Sequence, residues 1–319
     1  MSRKDTKAKE YMQDSHRFAD LCNFVLFDGK KVLSADDLME KDSTEVLSVL
    51  GIDGTEVSHQ QKWRDLLRSA VIKTSKKAVF VLVGVENQSD IHYAMPVKSL
   101  IYDALSYGSQ VREAAKRHRK KKDYSDDAEF LSGFKKSDRI TPVIPITLYL
   151  GMEKWDAPIS LHEMFEDMDE GLKPFVPDYR IALVSPSDLT SEDLNKLDTE
   201  LREFFGAIRY ADSKEDFENF VFGDPAFENL DNETVSAINI FTGANIKIDK
   251  KGGKTNVCKA IRDMKEEGRE EGREEGRAEE IVNAVEAAMK NFKVSLEDAC
   301  AGLDYTLKKY NDAKELISR

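Results

Sequence analysis

The sequence predicts an α/β protein with a helical C-terminal extension. Three apolar runs, at residues 78–85, 140–151 and 180–189, are rich in β-branched residues and have the length of buried strands. Segments with apolar residues at helical spacing lie before, between and after these runs. From about residue 258 the pattern is helical and includes a Glu-Gly-Arg repeat.

A helix and a β-hairpin are predicted in the first ninety residues. Apolar residues at helical spacing between positions 18 and 26 indicate the helix, and Asp14 or Ser15 can cap its start. Residues 63–88 have the pattern of a hairpin, with the tetrapeptide Thr-Ser-Lys-Lys at 74–77 as its loop.

The later elements alternate between helix and strand. A helix is predicted over 95–116, started by Pro96, and a basic loop then leads to the run at 140–151. Pro142 and Pro145 predict that this strand lies near a sheet edge or begins irregularly. Two further helical stretches, at 191–209 and 214–240, follow the last strand.

Three segments are predicted as the domain organisation. Residues 1–245 form the α/β domain, residues 246–257 form a linker, and residues 258–319 hold the charged repeat helix and a small helical module.

Composition excludes several classes of protein. Apolar residues make up 40% of the chain and charged residues 34%, which is enough to build a core under a charged surface. Three scattered cysteines show no zinc or disulfide spacing, and no apolar segment could span a membrane, so we expect a cytoplasmic protein without membrane contact. The net charge of −12 excludes a general polyanion binder, so a nucleic-acid surface would have to be a local patch.

The hairpin predicts that two carboxylates converge. A loop at 74–77 pairs Lys73 with Ala78, and the same register pairs Asp65 with Glu86. Directly opposed residues point to one face, with Cβ atoms roughly 5 Å apart. Gln88, two residues further on, shares that face.

Opposed carboxylates favour a bound cation. Like charges opposite one another destabilise a sheet unless something compensates them, and Mg²⁺ or another divalent cation would do so. The backbone carbonyl of Asn87 could supply a further oxygen ligand. Two alternatives stay open: Asp65 and Glu86 are exposed strand-end residues without a metal, or a one-residue bulge breaks the pairing.

The same residues carry a family resemblance. The segments RDLLRSA, VFVLVGVENQSDIHYAMPVKSLIYDALSYGSQV and TPVIPITLYLG, together with FADLCNFVLFDGK and the Glu-Gly-Arg repeats, resemble the Rpn-type nucleases. These are recombination-promoting, transposase-like bacterial proteins of the PD-(D/E)XK nuclease superfamily. The resemblance covers most of the chain; it is strongest over 17–151 and weak over 186–240.

The resemblance implies a Mg²⁺-dependent DNA endonuclease built on a PD-(D/E)XK nuclease-like mixed β-sheet flanked by helices. By position, Asp65 is the motif aspartate, Glu86 is the motif acid, and Gln88 stands where the wider superfamily has lysine. The implied catalytic set is therefore Asp65, Glu86 and Gln88, and the implied metal ligands are Asp65, Glu86 and Asn87. Because glutamine can only hydrogen-bond, the general base is unassigned.

Two helices offer further candidates. In the superfamily an acid on the first helix sometimes completes the metal site, and Asp20 and Asn23 lie there; the alternative is a solvated or capping role. Tyr102 and Gln110 are eight residues apart and share one side of the following helix, from which they could reach the site or pack in the core.

A basic run is the candidate nucleic-acid surface. Residues 112–122 carry seven cations and one acid, a composition that could contact phosphates without selecting a sequence. The alternative is a solvated, mobile loop. The proposed contacts are Lys116, Arg117, Arg119, Lys120, Lys121 and Lys122.

Glycines at a spacing of four mark the C-terminal region. Gly268, Gly272 and Gly276 each weaken a helix by about 1 kcal/mol, yet together they form a stripe where a second helix could approach closely. We expect a homodimer through these helices; the alternative is a solvated, partly frayed helix.

Two functions follow from these patterns. The first is a DNA endonuclease connected with recombination, mobile elements or phage defence. The second is a non-catalytic assembly protein that binds a partner through its C-terminal helices.

Overall fold

The computed structural model describes residues 3–40, 66–73 and 78–318, with Glu86 and several of its neighbours in the strands described by their backbone alone. The chain divides into two compact units, Met1–Thr255 and Asn256–Arg319. The predicted α/β class is confirmed for the first unit, which combines a mixed sheet with helices. No helix within the described ranges is both long and apolar enough to cross a membrane.

A five-stranded mixed sheet forms the centre of the first unit. Its strands follow one another in chain order, with the first three antiparallel and the last three parallel. They are β1 (Leu38–Glu40), β2 (Leu66–Lys73), β3 (Ala78–Gln88), β4 (Val143–Tyr149) and β5 (Ala182–Val184).

The predicted hairpin register is confirmed wherever it is described. Lys73 pairs with Ala78, and the pairing continues without a bulge to Leu66 and Val85. Apolar and β-branched residues favour these long strands.

The described residues of the first unit also form α-helices. They are α1 (Arg3–Met12), α2 (Ser15–Phe27), α3 (Met95–Lys121), α4 (Asp127–Ser132), α5 (Ser191–Leu194), α6 (Leu201–Arg209), α7 (Lys214–Gly223) and α8 (Asn232–Thr242). A small antiparallel ladder joins β6 (Leu230–Asp231) to β7 (Lys254–Thr255). The two long helical stretches predicted over 191–209 and 214–240 are each interrupted, the second at Pro225, which begins a short 3-10 turn.

Helices lie on both faces of the sheet. The guanidinium of Arg68 in β2 donates to the Ser15 hydroxyl at the start of α2 and lies 4.7 Å from the centre of the Phe18 ring. Tyr149 in β4 packs in a cluster with Met95, the first residue of α3. Arg68 pairs with position 83 of β3, and Tyr149 pairs with position 88. These two positions are an odd number of residues apart, so their side chains point to opposite faces of the sheet. The helix α2 and the start of α3 therefore lie on opposite faces.

The helix α3 connects two parallel strands. It begins at Met95 with Pro96 in its first turn and returns the chain from β3 to β4, as a parallel pair requires. The prediction that it ends at residue 116 was wrong: it continues to Lys121 and ends at Lys122, whose φ of 54° is left-handed. Basic side chains in the last turn interact favourably with the negative end of the helix dipole and so stabilise this extension.

Strand β4 lies directly beside the edge strand β5, so the predicted position near a sheet edge is confirmed, although β4 is not itself the edge strand. It pairs with β3 along its whole length, but β5 pairs only with residues 146–148. Pro145 therefore lies in the half of the strand that has a neighbour on one side only, where a missing N–H is tolerated.

Aromatic residues from distant helices form the core beneath α1 and α2. The ring centres of Tyr11 and Phe204 are 4.9 Å apart, and those of Phe204 and Phe241 are 5.5 Å apart. Arg17 is buried beside them, stacks on Tyr11 and donates to the Glu233 carboxylate at 2.7 Å. The segment that follows α8 is held by hydrogen bonds to Asn239 and Asn232.

The second unit is a bundle of three helices, α9 (Val257–Phe292), α10 (Leu296–Gly302) and α11 (Leu307–Leu316). Val282 and Val285 of α9 are buried against Cys300 of α10 and Tyr310 of α11. The predicted boundaries at 245 and 258 stay a prediction.

Candidate functional site

The candidate site lies where β3 and β4 end side by side. Because the two strands are parallel, their carboxyl ends meet at one edge, and the register pairs Glu86 with Thr147 and Gln88 with Tyr149. This edge is followed directly by the turn that leads into α3.

The predicted pair of carboxylates lies partly outside the described residues. The described hairpin ends at the pair Leu66–Val85, and the pair Asp65–Glu86 would be the next one. Asp65 is outside the described ranges and Glu86 is described by its backbone alone, so the convergence of their carboxylates stays a prediction.

Asn87 and Gln88 have defined positions at the end of β3. Asn87 is buried, and Gln88 is half-buried with its side-chain Nε2 donating to the Asn87 carbonyl at 3.0 Å. The backbone carbonyl of Gln88 accepts from Leu150 at 2.8 Å. A carbonyl oxygen has two lone pairs, so the Asn87 carbonyl can accept this hydrogen bond and still bind a cation.

Thr147 is a polar residue of this edge that the sequence prediction missed. Its side chain is 1% exposed, and among the described residues its hydroxyl has no hydrogen-bond partner. Valine would fit the same space without burying an unpaired hydroxyl. A single polar residue inside the apolar run at 143–150 was the signal available in the sequence.

The oxygen donors predicted for this edge fit a hard cation. Carboxylate and carbonyl oxygens are the ligands that Mg²⁺ prefers, and water completes its coordination. Within the described ranges, no cluster of three or more His, Cys, Asp or Glu could hold a metal. A Mg²⁺ site would therefore depend on Asp65 and Glu86, with the Asn87 carbonyl beside them.

The candidate acid Asp20, which lies on α2, has a structural role. Asp20 is buried, and its carboxylate accepts from the backbone N–H groups of Asp198 and Thr199 and from the Thr199 hydroxyl. It thus fixes the segment that leads into α6, which agrees with the capping alternative.

The side chain of Asn23 also makes hydrogen bonds within the fold. Its side-chain oxygen accepts from the backbone of Val32 and Leu33, and its nitrogen donates to the Leu33 carbonyl at 2.8 Å. It therefore holds the turn after α2.

The two candidates on α3 have different surroundings. Gln110 makes two hydrogen bonds with the backbone of Thr141, donating at 3.0 Å and accepting at 2.6 Å, and so fixes the approach to β4. Tyr102 is half-buried, and the Lys98 ammonium lies 5.8 Å from the centre of its ring.

The basic run lies on the end of α3, so the predicted basic loop was wrong in its secondary structure. All six cations from Lys116 to Lys122 are exposed. Only Arg117 approaches a carboxylate among the described residues, at 3.8 Å from Asp138. The helix therefore presents these charges in a fixed arrangement.

His118 fastens this helix end to the chain that follows it. Its ring is buried, with Nδ1 2.8 Å from the Asp123 carboxylate and Nε2 2.9 Å from that of Asp138. The hydrogen bond from His118 lowers the pKa of Asp123, and a hydrogen bond from the Lys135 backbone lowers the pKa of Asp138. Both carboxylates are thus held within the fold by His118, and among the exposed cations of the helix end only Arg117 approaches one of them.

Comparison with known proteins identifies the family. The model of a family described as "Putative transposase, YhgA-like" matches residues 55–222, which is more than half of the chain. The match includes both strands of the hairpin, the candidate site and the basic end of α3. Searches of the curated proteins and of the solved structures found no match. The chain therefore belongs to the YhgA-like transposase family.

Proposed function

We propose that the protein is a metal-dependent DNA endonuclease of the PD-(D/E)XK type. Membership of a transposase-like family connects the chain with mobile elements and with the processing of nucleic acid. The order of the elements supports the more specific proposal. Among the described residues, α2 is followed by three antiparallel strands, a crossover helix and a parallel strand, an order that agrees with the mixed sheet flanked by helices that the Rpn-type resemblance implies.

The register of the hairpin is the observation that carries the proposal. It runs without a bulge from Lys73–Ala78 to Leu66–Val85. One further pair in the same register would place Asp65 opposite Glu86, and directly opposed residues share a face of the sheet. The proposed centre is thus one residue pair beyond the described part of the ladder.

Each residue of the proposed centre has a separate role. Asp65 and Glu86 would bind Mg²⁺ through carboxylate oxygens, and Asn87 through its backbone carbonyl. The cation would supply Lewis-acid chemistry and lower the pKa of a bound water.

Gln88 cannot act as a base, because an amide accepts no proton near neutral pH. Its hydrogen bond to the Asn87 carbonyl, at 3.0 Å, orients the strand end instead. The basic end of α3 would hold the DNA backbone, and two copies joined through their C-terminal helices could cut both strands of a duplex.

Plasmid cleavage tests the proposal. The full chain is compared with Asp65→Asn in the presence of Mg²⁺ and in the presence of EDTA. We expect nicking or linearisation by the wild type with Mg²⁺, and none by the variant or in EDTA, because the change removes a charged ligand while keeping the size of the side chain. Asp90→Asn is the matched control, since Asp90 is an exposed carboxylate two residues beyond Gln88. Equal cleavage by Asp65→Asn and wild type would refute the metal site.

The second function is assembly without catalysis. It is favoured by the separate C-terminal unit, on which Gly268, Gly272 and Gly276 are exposed and have open space around them. A wild type that dimerises but cleaves no plasmid under any divalent cation would support this alternative.

A further inference from the structure

The end of α3 and the short helix α4 form one surface. The Tyr124 hydroxyl donates to the Ala115 carbonyl at 3.2 Å, which folds the chain back after α3 ends. Gly133, at the end of α4 with φ +72°, approaches so closely that an added Cβ would be 2.8 Å from the Cβ of Ala115. The helix α4 is therefore held beside the last turns of α3.

Exposed cations outnumber available acids on this surface. Lys116, Arg119 and Lys120–Lys122 are exposed, and no ion pair involves them within the described chain. The nearby acids are mostly engaged. Asp123 and Asp138 bind His118, Asp126 caps α4, and Glu129 accepts from the backbone of Ser125 and Lys136. The result is a local positive charge on a chain whose net charge is −12.

An exposed aromatic side chain lies on α4, the helix that the Tyr124 hydrogen bond holds beside the end of α3. Phe130 is 64% exposed and its neighbour Leu131 is 82% exposed. The ring of Tyr124 meets Phe130 edge-on, with the ring centres 5.8 Å apart. This contact and the cap of α4 hold Phe130 in place while most of its surface stays open to solvent.

We propose that this basic–aromatic surface, formed by Lys116, Arg119, Lys120, Lys121, Lys122 and Phe130, binds single-stranded nucleic acid. The cations would contact phosphates, and one base would stack on the Phe130 ring, which is how proteins bind single strands without sequence preference. In a duplex the faces of the bases are already stacked on one another, so Phe130 contributes only where a strand is open. The inference rests on the proposed function in taking nucleic acid as the ligand, and it names the form of that ligand.

Anionic lipid is the competing ligand, because it too would attract cations beside exposed apolar side chains. The described apolar part is only Phe130 and Leu131 on a helix of six residues, which offers little area for insertion. Stacking needs just one ring. The geometry therefore favours nucleic acid.

Fluorescence anisotropy of the full chain in EDTA tests the proposal without cleavage. The probes are a labelled 20-nucleotide oligo(dT) and a labelled 20-base-pair duplex, and sedimentation with phosphatidylserine vesicles tests lipid. Phe130→Ala should raise the Kd for oligo(dT) by roughly 5- to 150-fold, the range for loss of one stacked base. It should change the Kd for the duplex by less than about twofold and leave the salt dependence unchanged, since stacking releases few counterions.

Three further variants separate the effect of stacking from the effect of charge and from general effects of substitution. Phe130→Trp should restore binding, and Phe175→Ala should match the wild type, because Phe175 is also exposed, at 82%, but lies far along the chain from the cations. Replacing Lys120, Lys121 and Lys122 with glutamine should lower the log–log salt slope by roughly 0.7 for each lost contact on a single strand.

Three results would overturn the inference. They are an unchanged Kd for oligo(dT) in Phe130→Ala, equal losses on oligo(dT) and duplex, and wild-type binding to vesicles but not to oligo(dT). Because the assay needs no metal, it is independent of Asp65. A wild-type chain that cleaves no plasmid but shows Phe130-dependent binding to oligo(dT) would contradict the endonuclease and still support this surface.

Discussion

Replacing Thr147 with valine should stabilise the protein. The Thr147 hydroxyl is buried in the fourth strand of the sheet, and no described residue bonds to it. Within the described part of the chain, folding removes it from water without providing a new partner, and a hydroxyl buried in this way costs about 1–3 kcal/mol. Valine keeps the branched shape and favours a strand.

The gain should be about 1 kcal/mol, the lower end of that range, because the new methyl group must fit the hydroxyl's place. For a unit of this size that gain corresponds to roughly 2–4 °C in Tm, measured by calorimetry of the full chain. The matched control is Thr234→Val. Thr234 is fully buried too, but its hydroxyl bonds to the Tyr11 hydroxyl at 3.1 Å and to the Glu200 carboxylate.

Removing the Thr234 hydroxyl leaves the buried Tyr11 hydroxyl and the half-buried Glu200 carboxylate with one partner fewer, so this variant should lose about 1–3 kcal/mol. A loss of similar size in Thr147→Val would refute the reasoning, because it would show that the Thr147 hydroxyl has a stabilising partner. A stabilised Thr147→Val that no longer cleaves plasmid would show instead that the hydroxyl serves the site at the expense of stability.

Two further predictions concern the ends of the chain. Burial raises the pKa of the Cys22 thiol to about 12, so the folded chain keeps a proton that the unfolded chain loses above pH 9. Below pH 9 this thiol should not affect the free energy of unfolding, and between pH 9 and 12 it should lower that free energy by up to about 1.4 kcal/mol per pH unit. Urea unfolding of Cys22→Ala should therefore show a shallower fall with pH. An identical slope in the variant and the wild type would contradict the assignment. In the C-terminal unit, changing Gly268, Gly272 and Gly276 to leucine should raise helix propensity yet abolish dimers. Sedimentation of the full chain, this variant and a chain ending at Thr255 checks it, and a truncated chain that dimerises like the wild type would exclude the stripe as the contact.

The sequence predicted the hairpin well because its register depends on local information. A short polar loop between two apolar strands leaves few ways to pair them, and the pairing of Lys73 with Ala78 determines every later pair. The start of α3 could also be predicted from local sequence, because proline fits the first turn of a helix and Pro96 lies there.

The roles of Asp20 and Pro145 depend on residues far away in the chain. Asp20 binds Asp198 and Thr199, which are 178 and 179 residues away, so no pattern around position 20 could reveal its partners. Pro145 predicted a position near a sheet edge, and the edge strand β5 is short and pairs with β4 only after that proline. Tertiary contacts decided both cases.

The basic end of α3 shows why a charged run can be misjudged from sequence. Its residues lack apolar periodicity, which indicates a loop, yet the helix continues because its last cations oppose the helix dipole and His118 provides a buried anchor. A signal for the next element was present: Asp126 and Gly133 bracket a six-residue stretch as an N-terminal cap and a left-handed terminator.

The short helix α4 affects how the basic run can bind a ligand. A solvated loop would spread its charges over many conformations, and phosphate binding would have to order them at an entropic cost. Here α3 and α4 are already fastened by Tyr124 and Gly133, so the cations and the Phe130 ring are presented together before a ligand arrives. Preorganisation of this kind raises affinity without adding contacts. A variant that loosens the attachment, such as Tyr124→Phe, should therefore weaken oligo(dT) binding although it removes no group that would touch the strand.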